Sequence, residues 1–228
     1  TNFQDEQFDL GNPELSPEIT WETELTLEQR FGEIGQASLT GFYNAIEDVQ
    51  DKLPLTDGLE VPGNIGDARR WGVRLNTTLP LDAVGIAGGR VDIRANWQDS
   101  TVEDPVTGRS RILSDERRYR IRFDFRQDLP NADFAWGWDI DYRSDQRSFG
   151  LDEFEIKDKP GVGLDLFVET TRWQAFKVRL FVENITNQTS TRDRLVYEGA
   201  RMLTPLDFSE VSDTQEGPRV GITVSGEF

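Results

Sequence analysis

The sequence predicts an all-β chain of antiparallel strands, and three features of its residue pattern support this fold class. Apolar and polar residues alternate over several segments, which is the pattern of a strand with one apolar face. Short polar turns and long polar stretches follow these segments in alternation. The sequence contains no apolar run approaching the roughly 20 residues that a transmembrane helix needs.

Composition excludes several classes of site. The 228 residues suffice for one domain, which we assign to residues 1–228, and the 24 aromatic residues argue against a disordered chain. A net charge of −17 disfavours a nucleic-acid partner, because phosphates would repel the chain. The sequence has no Cys and no His, so disulfides, thiolate metal sites and the usual catalytic base are excluded. We expect no catalytic residue, cofactor or metal.

Alternation predicts nine strands. The clearest two run over residues 119–126 and 134–143, joined by the polar turn at 128–133, and they form a hairpin with one apolar and one charged face. The other seven predicted strands are 21–28, 37–46, 71–79, 91–97, 162–168, 176–182 and 220–228. No linker divides these strands into separate units.

The connections between the strands are of two kinds. Short turns near residues 32–35, 128–133 and 171–174 alternate with long polar stretches near 50–67, 102–115, 147–160 and 187–216. Outer-membrane barrels have short periplasmic turns and long extracellular loops, whereas a soluble sandwich lacks this bias. Trp and Tyr residues near the strand ends also fit membrane interfaces. Alternation alone does not choose between a membrane barrel and a soluble β-domain.

Four internal segments and the C-terminus carry a family resemblance. The internal segments are residues 11–25 (GNPELSPEITWETEL), 38–48 (SLTGFYNAIED), 64–73 (NIGDARRWGV) and 182–187 (VENITN). The last nine residues, VGITVSGEF, alternate back from a terminal aromatic residue. This set resembles the β-barrel of TonB-dependent receptors, in the family's order and over nearly the whole chain. One departure is Arg74, which stands where the family usually has an acidic residue.

The resemblance implies a barrel of about 22 strands with a plug in its lumen. We therefore expect an antiparallel transmembrane β-barrel in the bacterial outer membrane, of which this chain is the C-terminal portion with about nine strands. The plug and the signal peptide would lie outside this sequence. The resemblance also implies that the barrel-assembly machinery recognises the terminal strand, through Val220, Ile222, Val224, Gly226 and Phe228.

The implied function is TonB-dependent uptake of a scarce solute, of the ferric siderophore, cobalamin or oligosaccharide class, without covalent change to the solute. Partners would be outer-membrane lipid, TonB through the plug region, the barrel-assembly machinery and the solute. One alternative is a soluble all-β domain that binds carbohydrate through Trp136 or Trp138. A third hypothesis is another outer-membrane barrel, such as a porin or an esterase, although an esterase would need a Ser–His pair.

Seven charged residues are candidates to line the barrel lumen: Arg118, Arg120, Arg122, Arg126, Asp139, Asp141 and Arg143. They could form a track for an anionic ligand, but cross-strand charge pairing on a wet wall is the simpler interpretation. The carboxylate pairs Glu22/Glu24 and Asp139/Asp141 could in principle act as the acid and base of a glycosidase, but adjacent inward carboxylates on a charged barrel wall are the simpler interpretation. The acidic loop segments 152–155 and 207–210 lack calcium-loop spacing. Ligand contacts are expected in the long loops near residues 50–67, 147–160 and 187–216.

Overall fold

The computed structural model describes residues 12–55, 59–173 and 176–226, and these residues form sixteen strands. In chain order the strands are β1 (Ile19–Phe31), β2 (Gly35–Glu47), β3 (Gln50–Pro54), β4 (Glu60–Asn64), β5 (Ala68–Pro80), β6 (Gly89–Glu103), β7 (Ser110–Arg111), β8 (Tyr119–Leu129), β9 (Phe134–Arg143), β10 (Gln146–Phe149), β11 (Glu153–Asp158), β12 (Gly163–Trp173), β13 (Phe176–Glu183), β14 (Thr189–Tyr197), β15 (Leu206–Gln215) and β16 (Arg219–Ser225). Within this part of the chain, no helix has the length and apolar content to cross a membrane.

Nine of these strands form one antiparallel sheet and confirm the predicted fold class. Their order is β1-β2-β5-β6-β8-β9-β12-β13-β16, so each strand pairs with the next strand of the same sheet along the chain, and β7 adds to the end of β6. The sheet is not closed: among the described residues, β1 and β16 each have one neighbour. One predicted turn differs, because β12 continues through Trp173, which pairs with Phe176 across a register shift. The predicted turn residue Gln174 lies outside the described residues.

Many large apolar side chains of the nine strands are exposed on one face of the sheet. Leu25 is 71% exposed and Ile222 is 64% exposed, although both lie in the middle of regular strands. In a β-sandwich these side chains would be buried against a second sheet. An outward apolar surface with a polar opposite face is instead the arrangement of a barrel in lipid.

Short turns lie at one end of the sheet and long connections at the other. Gly32, with φ of +63°, lies in the turn between β1 and β2, where a left-handed conformation favours glycine. The four long connections are residues 48–67, 104–118, 144–162 and 184–218, which we number L1 to L4. They carry their own strands: β3 pairs with β4, and β10, β11, β14 and β15 form a second sheet. L1, L3 and L4 therefore each contain a pair of β-strands, whereas L2 contains only the short strand β7.

The buried apolar core is small and lies where the large sheet meets its long connections. It consists of Ile46, Val49, Ala68, Val102 and Leu113, from the ends of β2, β5 and β6 and from L1 and L2. This position differs from that of a soluble β-domain, in which the core lies between sheets. The core therefore anchors the long connections to the sheet.

Phenylalanines on the polar face cover glycines on neighbouring strands. Phe42 lies opposite Gly72, Phe167 opposite Gly137 and Phe181 opposite Gly221. A Cβ atom added at Gly72 would lie 2.7 Å from Phe42 Cζ, and one at Gly137 would lie 2.6 Å from Phe167 Cε1. Aromatic rings over glycines in this way are a known device for fixing strand register.

We expect Gly72→Ala to destabilise the folded sheet by about 1–3 kcal/mol, because the added methyl group would displace Phe42 and crowd the backbone of Trp97. The measurement is the temperature at which the folded, fast-migrating species is lost on a detergent gel. Gly41→Ala is the matched control, because an added Cβ there meets nothing within 4 Å. Equal melting of the two variants would contradict this role of the glycine.

Candidate functional site on the polar face and long connections

The polar face of the sheet brings most of the predicted charged residues together. In the register of β8 and β9, Arg122 lies opposite Asp141 and Arg120 lies opposite Arg143. Arg120 Nε donates to Asp141 Oδ2 at 2.9 Å, while Arg122 Nη2 lies 3.5 Å from Asp139 Oδ1. Cross-strand pairs between these two strands therefore satisfy part of the charge on this wall.

A row of four aspartates crosses the polar face below these arginines. The register places Asp92, Asp124, Asp139 and Asp165 directly opposite one another on β6, β8, β9 and β12. Like charges at adjacent positions repel, so nearby arginines are needed to offset them. Arg122 Nε donates to Asp124 Oδ1 at 2.7 Å, and Arg94 forms a second ion pair with the same carboxylate.

Glu169 is the most heavily paired carboxylate of this face. It is 3% exposed and forms ion pairs with Arg126, Lys177 and Arg179. Arg126 Nη1 donates to Glu169 Oε1 at 2.9 Å, and Arg179 Nη1 donates to the same oxygen at 3.1 Å. Sequence reasoning missed Glu169 of β12, because its partners lie on β8 and β13 and meet it only through the strand register.

Arg118 is not brought to this group. It precedes β8, and its Nε lies 3.5 Å from Oδ1 of Asp99, which occupies the same face as Trp97 in the alternation of β6. The carboxylates of Glu22 and Glu24 lie on the edge strand β1, and Glu24 forms an ion pair with Arg74. Both predicted carboxylate pairs, Glu22/Glu24 and Asp139/Asp141, include a residue that forms an ion pair with an arginine on a nearby strand.

The residues of the predicted assembly signal lie on and next to β16, an edge strand of the large sheet. β16 pairs with β13, and Val220, Ile222 and Val224 are 58–78% exposed on the apolar face. Gly226 follows the end of the strand, and Phe228 lies outside the described residues.

A buried ionic group joins the four long connections. Asp104, Asp51, Arg111, Arg201 and the ring of Phe149 form this group, which we call the Asp104 cluster. Asp104 Oδ2 accepts hydrogen bonds from Arg111 Nε at 2.7 Å and from Arg201 Nη2 at 2.6 Å. Arg111 also donates to Asp51 at 2.9 Å, and both guanidinium groups lie within 5.3 Å of the Phe149 ring centroid.

The cluster is almost fully removed from solvent. The side chains of Asp104 and Arg201 are 1% and 3% exposed, and those of Arg111 and Asp51 are 8% and 11% exposed. Burial alone would raise the pKa of Asp104, but hydrogen bonds from Arg201 and the Thr107 backbone N–H hold its pKa below the ordinary value of 3.8. Asp104 therefore stays ionised and keeps L1, L2, L3 and L4 together.

The acidic loop segments singled out in the sequence form ion pairs within the second sheet. Glu153 and Glu210 both pair with Arg194, and the buried Glu155 pairs with Arg192 and Lys157. Burial acts to raise the pKa of Glu155, but Lys157 and Arg192 hold it below its ordinary value. Within the described residues, no group of three or more His, Cys, Asp or Glu side chains could hold a metal ion.

An open sheet with an exposed apolar face, a charged opposite face and long connections at one end is the geometry of an outer-membrane barrel wall. The family model described as TonB dependent receptor-like, beta-barrel, matches residues 2–185 of the 228. The chain belongs to the TonB-dependent receptor β-barrel family. No curated protein and no solved structure matches it.

Membership of the TonB-dependent receptor family indicates what each face of the sheet contacts. The family lies in the bacterial outer membrane and consists of transporters. In such a barrel the apolar face meets lipid and the polar face meets the lumen. Trp136 and Trp138, which the soluble alternative would use to stack on sugars, belong to the apolar face, where Trp138 stacks on Phe125 at 5.5 Å. Their position gives the carbohydrate-binding alternative no support.

We expect Asp104→Ala to loosen the long connections of this receptor barrel, because it leaves Arg111 and Arg201 buried without their shared carboxylate. Removing one partner of a buried pair costs about 3–5 kcal/mol. The measurement is the rate of trypsin cleavage within L1 to L4 in the folded, detergent-solubilised protein. Asp99→Ala is the control, since its pair with Arg118 is half-exposed and should contribute at most about 1 kcal/mol. Similar cleavage rates for both variants would refute a special role for Asp104.

The long connections should also open in acid. Because the folded-state pKa values of Asp104 and Glu155 are lowered, their stabilisation is present above the ordinary values of 3.8 and 4.5 and is lost as the pH falls below them. Pepsin cleavage of the folded barrel should therefore be slow near pH 4.5 and should accelerate at lower pH. A cleavage rate in L1 to L4 that follows only the intrinsic pH profile of pepsin, measured on an unfolded substrate, would contradict this.

Proposed function

We propose that this chain forms the C-terminal part of a receptor barrel that takes up a scarce solute across the outer membrane by TonB-dependent active transport. The observation that carries the proposal is the nine-stranded sheet, with its exposed apolar face, charged opposite face and ordered long connections at one end. Family membership supports outer-membrane transport of this general kind. The domain assignment, residues 1–228 as one barrel portion, belongs to the same proposal.

The solute is proposed to belong to the ferric siderophore, cobalamin or oligosaccharide class, and to cross unchanged. It would first contact the surface formed by L1 to L4, because function concentrates in connections held by a rigid scaffold. The Asp104 cluster supports this role, since it fixes the four connections relative to one another before any ligand binds. A preorganised surface binds with less loss of conformational entropy.

Three further partners are part of the proposal. TonB would act through a plug region that precedes this segment in the receptor, and the barrel-assembly machinery would recognise the strand ending in Phe228. Outer-membrane lipid would cover the exposed apolar side chains of the nine-stranded sheet. On its opposite face, Arg120, Arg122, Arg126, Asp139, Asp141 and Arg143 would line the lumen, with Arg118 near its rim.

The test begins with the full-length receptor in its own cells. We expect it in the outer-membrane fraction and expect heat-modifiable migration on detergent gels, because a closed barrel resists unfolding in detergent without heating. Deletion of the receptor and deletion of TonB should abolish growth on the same limiting solute, supplied in turn as a ferric siderophore, cobalamin or an oligosaccharide. Recovery in the soluble fraction without heat modification would refute the proposal, as would growth on every solute in both deletion strains.

A further inference from the structure

A cavity of about 300 Å³ on the polar face is lined by arginine and asparagine and by no acidic residue. Its lining consists of Arg74, Asn76, Arg94, Ala95, Asn96, Arg120 and Arg122. The protein as a whole has 42 acidic and 25 basic residues, so a cavity with four cations and no carboxylate departs from its overall composition. Its volume is at the lower end of the range for small-molecule sites, roughly 300–1,000 Å³.

The strand register builds this cavity as a grid of two rows and three columns. One row is Arg74 on β5, Asn96 on β6 and Arg120 on β8. The next row, two residues along each strand, is Asn76, Arg94 and Arg122. Directly opposite residues on adjacent strands have Cβ atoms about 4.5–5.5 Å apart, so all six side chains lie within reach of one small ligand.

Carboxylates outside the grid hold the arginines in place. Arg74 pairs through Nη2 with Glu24, Arg94 through Nη2 with Asp124, and Arg120 through Nε with Asp141. These contacts use one edge of each guanidinium group, which has five N–H donors in a planar fork. The guanidinium groups are half-exposed toward the open face, with side-chain exposures of 39–58%. Nε of Arg74 is buried and has no hydrogen-bond partner among the described residues.

We infer that this cavity, the Arg–Asn grid, is a binding site for a small anionic group, a carboxylate or a phosphate, on the wall of the transport lumen. Arginine forks bind both groups through paired charge-assisted hydrogen bonds, and the asparagine amides can donate further ones. The inference rests on the proposed function, because it assigns the anion to a solute that passes this wall. It therefore predicts a transported solute that carries a carboxylate or a phosphate.

The experiment measures binding of citrate and of inorganic phosphate to the folded full-length receptor in detergent, by titration calorimetry. We expect Arg94→Gln to weaken anion binding at least tenfold, because a hydrogen bond to a charged group contributes about 1.5–3 kcal/mol. Arg90→Gln is the matched control: Arg90 lies on the same strand and face and pairs with Asp92, but it does not line the cavity. The affinity of the Arg90→Gln variant for the anion should stay within about twofold of the wild-type value, since this substitution removes only a charge outside the cavity.

A second variant keeps the test decisive if Arg94→Gln does not fold. Asn96→Asp places a carboxylate between Arg74 and Arg120 at nearly constant volume, so the fold should persist while anion binding is lost. Binding of citrate alone assigns a carboxylate solute, and binding of phosphate alone assigns a phosphorylated one. The inference is overturned if neither anion binds at about 10 mM, or if Arg90→Gln weakens binding as much as Arg94→Gln does. A heat-modifiable outer-membrane receptor that fails these tests would refute the anion site and leave the proposed function standing.

Discussion

A strand inside a bilayer must pair every backbone N–H and C=O group with a neighbouring strand, because the hydrocarbon offers no other partner. The rest of this structure depends on that constraint. It explains why nine strands pair in unbroken sequence, with registers that run over up to 13 consecutive residues. It also explains why apolar side chains such as Leu25 are exposed: their packing partner is lipid rather than a second sheet. In the barrel of more strands that we propose, the free edges of β1 and β16 would each have a partner.

The same constraint determines the polar face. Alternation sends every second residue of a strand inward, so each strand delivers its charges to one wall, in fixed rows. The four aspartates at one level and the arginines beside them follow from this layering. Because a row of like charges is unfavourable, the neighbouring row must carry opposite charge, and Glu169 among three cations shows the same rule at another level. In the Arg–Asn grid, the carboxylates that offset the charge of the arginines lie outside the cavity.

The fold could be predicted from the sequence because alternation is a local property. Each of the nine strands carries its own alternation of apolar and polar residues, most clearly from Phe134 to Arg143. Short turns are marked by turn residues, such as Gly32 and the segment 130–133. The site could not be predicted to the same extent. A shift of one residue in register sends a side chain to the opposite face, so the partners of Glu169 are not evident from spacing. The Asp104 cluster is still harder to predict from the sequence, since Asp104 and Arg201 are 97 residues apart in the chain. Arg118 appeared to continue the alternation of β8, but the strand begins one residue later.

The position of the buried groups also follows from the membrane. A barrel wall has no second sheet packed on its apolar face, and the apolar cluster of this chain lies at the junction of the sheet and its connections. There the chain buries only a few apolar residues, including Val49 and Leu113, beside the ionic Asp104 cluster. Such a cluster adds less free energy than an apolar core of equal volume, because desolvation opposes its attraction. Its directional hydrogen bonds, however, hold residues of L1, L2 and L4 at fixed positions around Asp104. If this surface binds the solute as proposed, the fixed arrangement favours binding, since binding then need not order the loops.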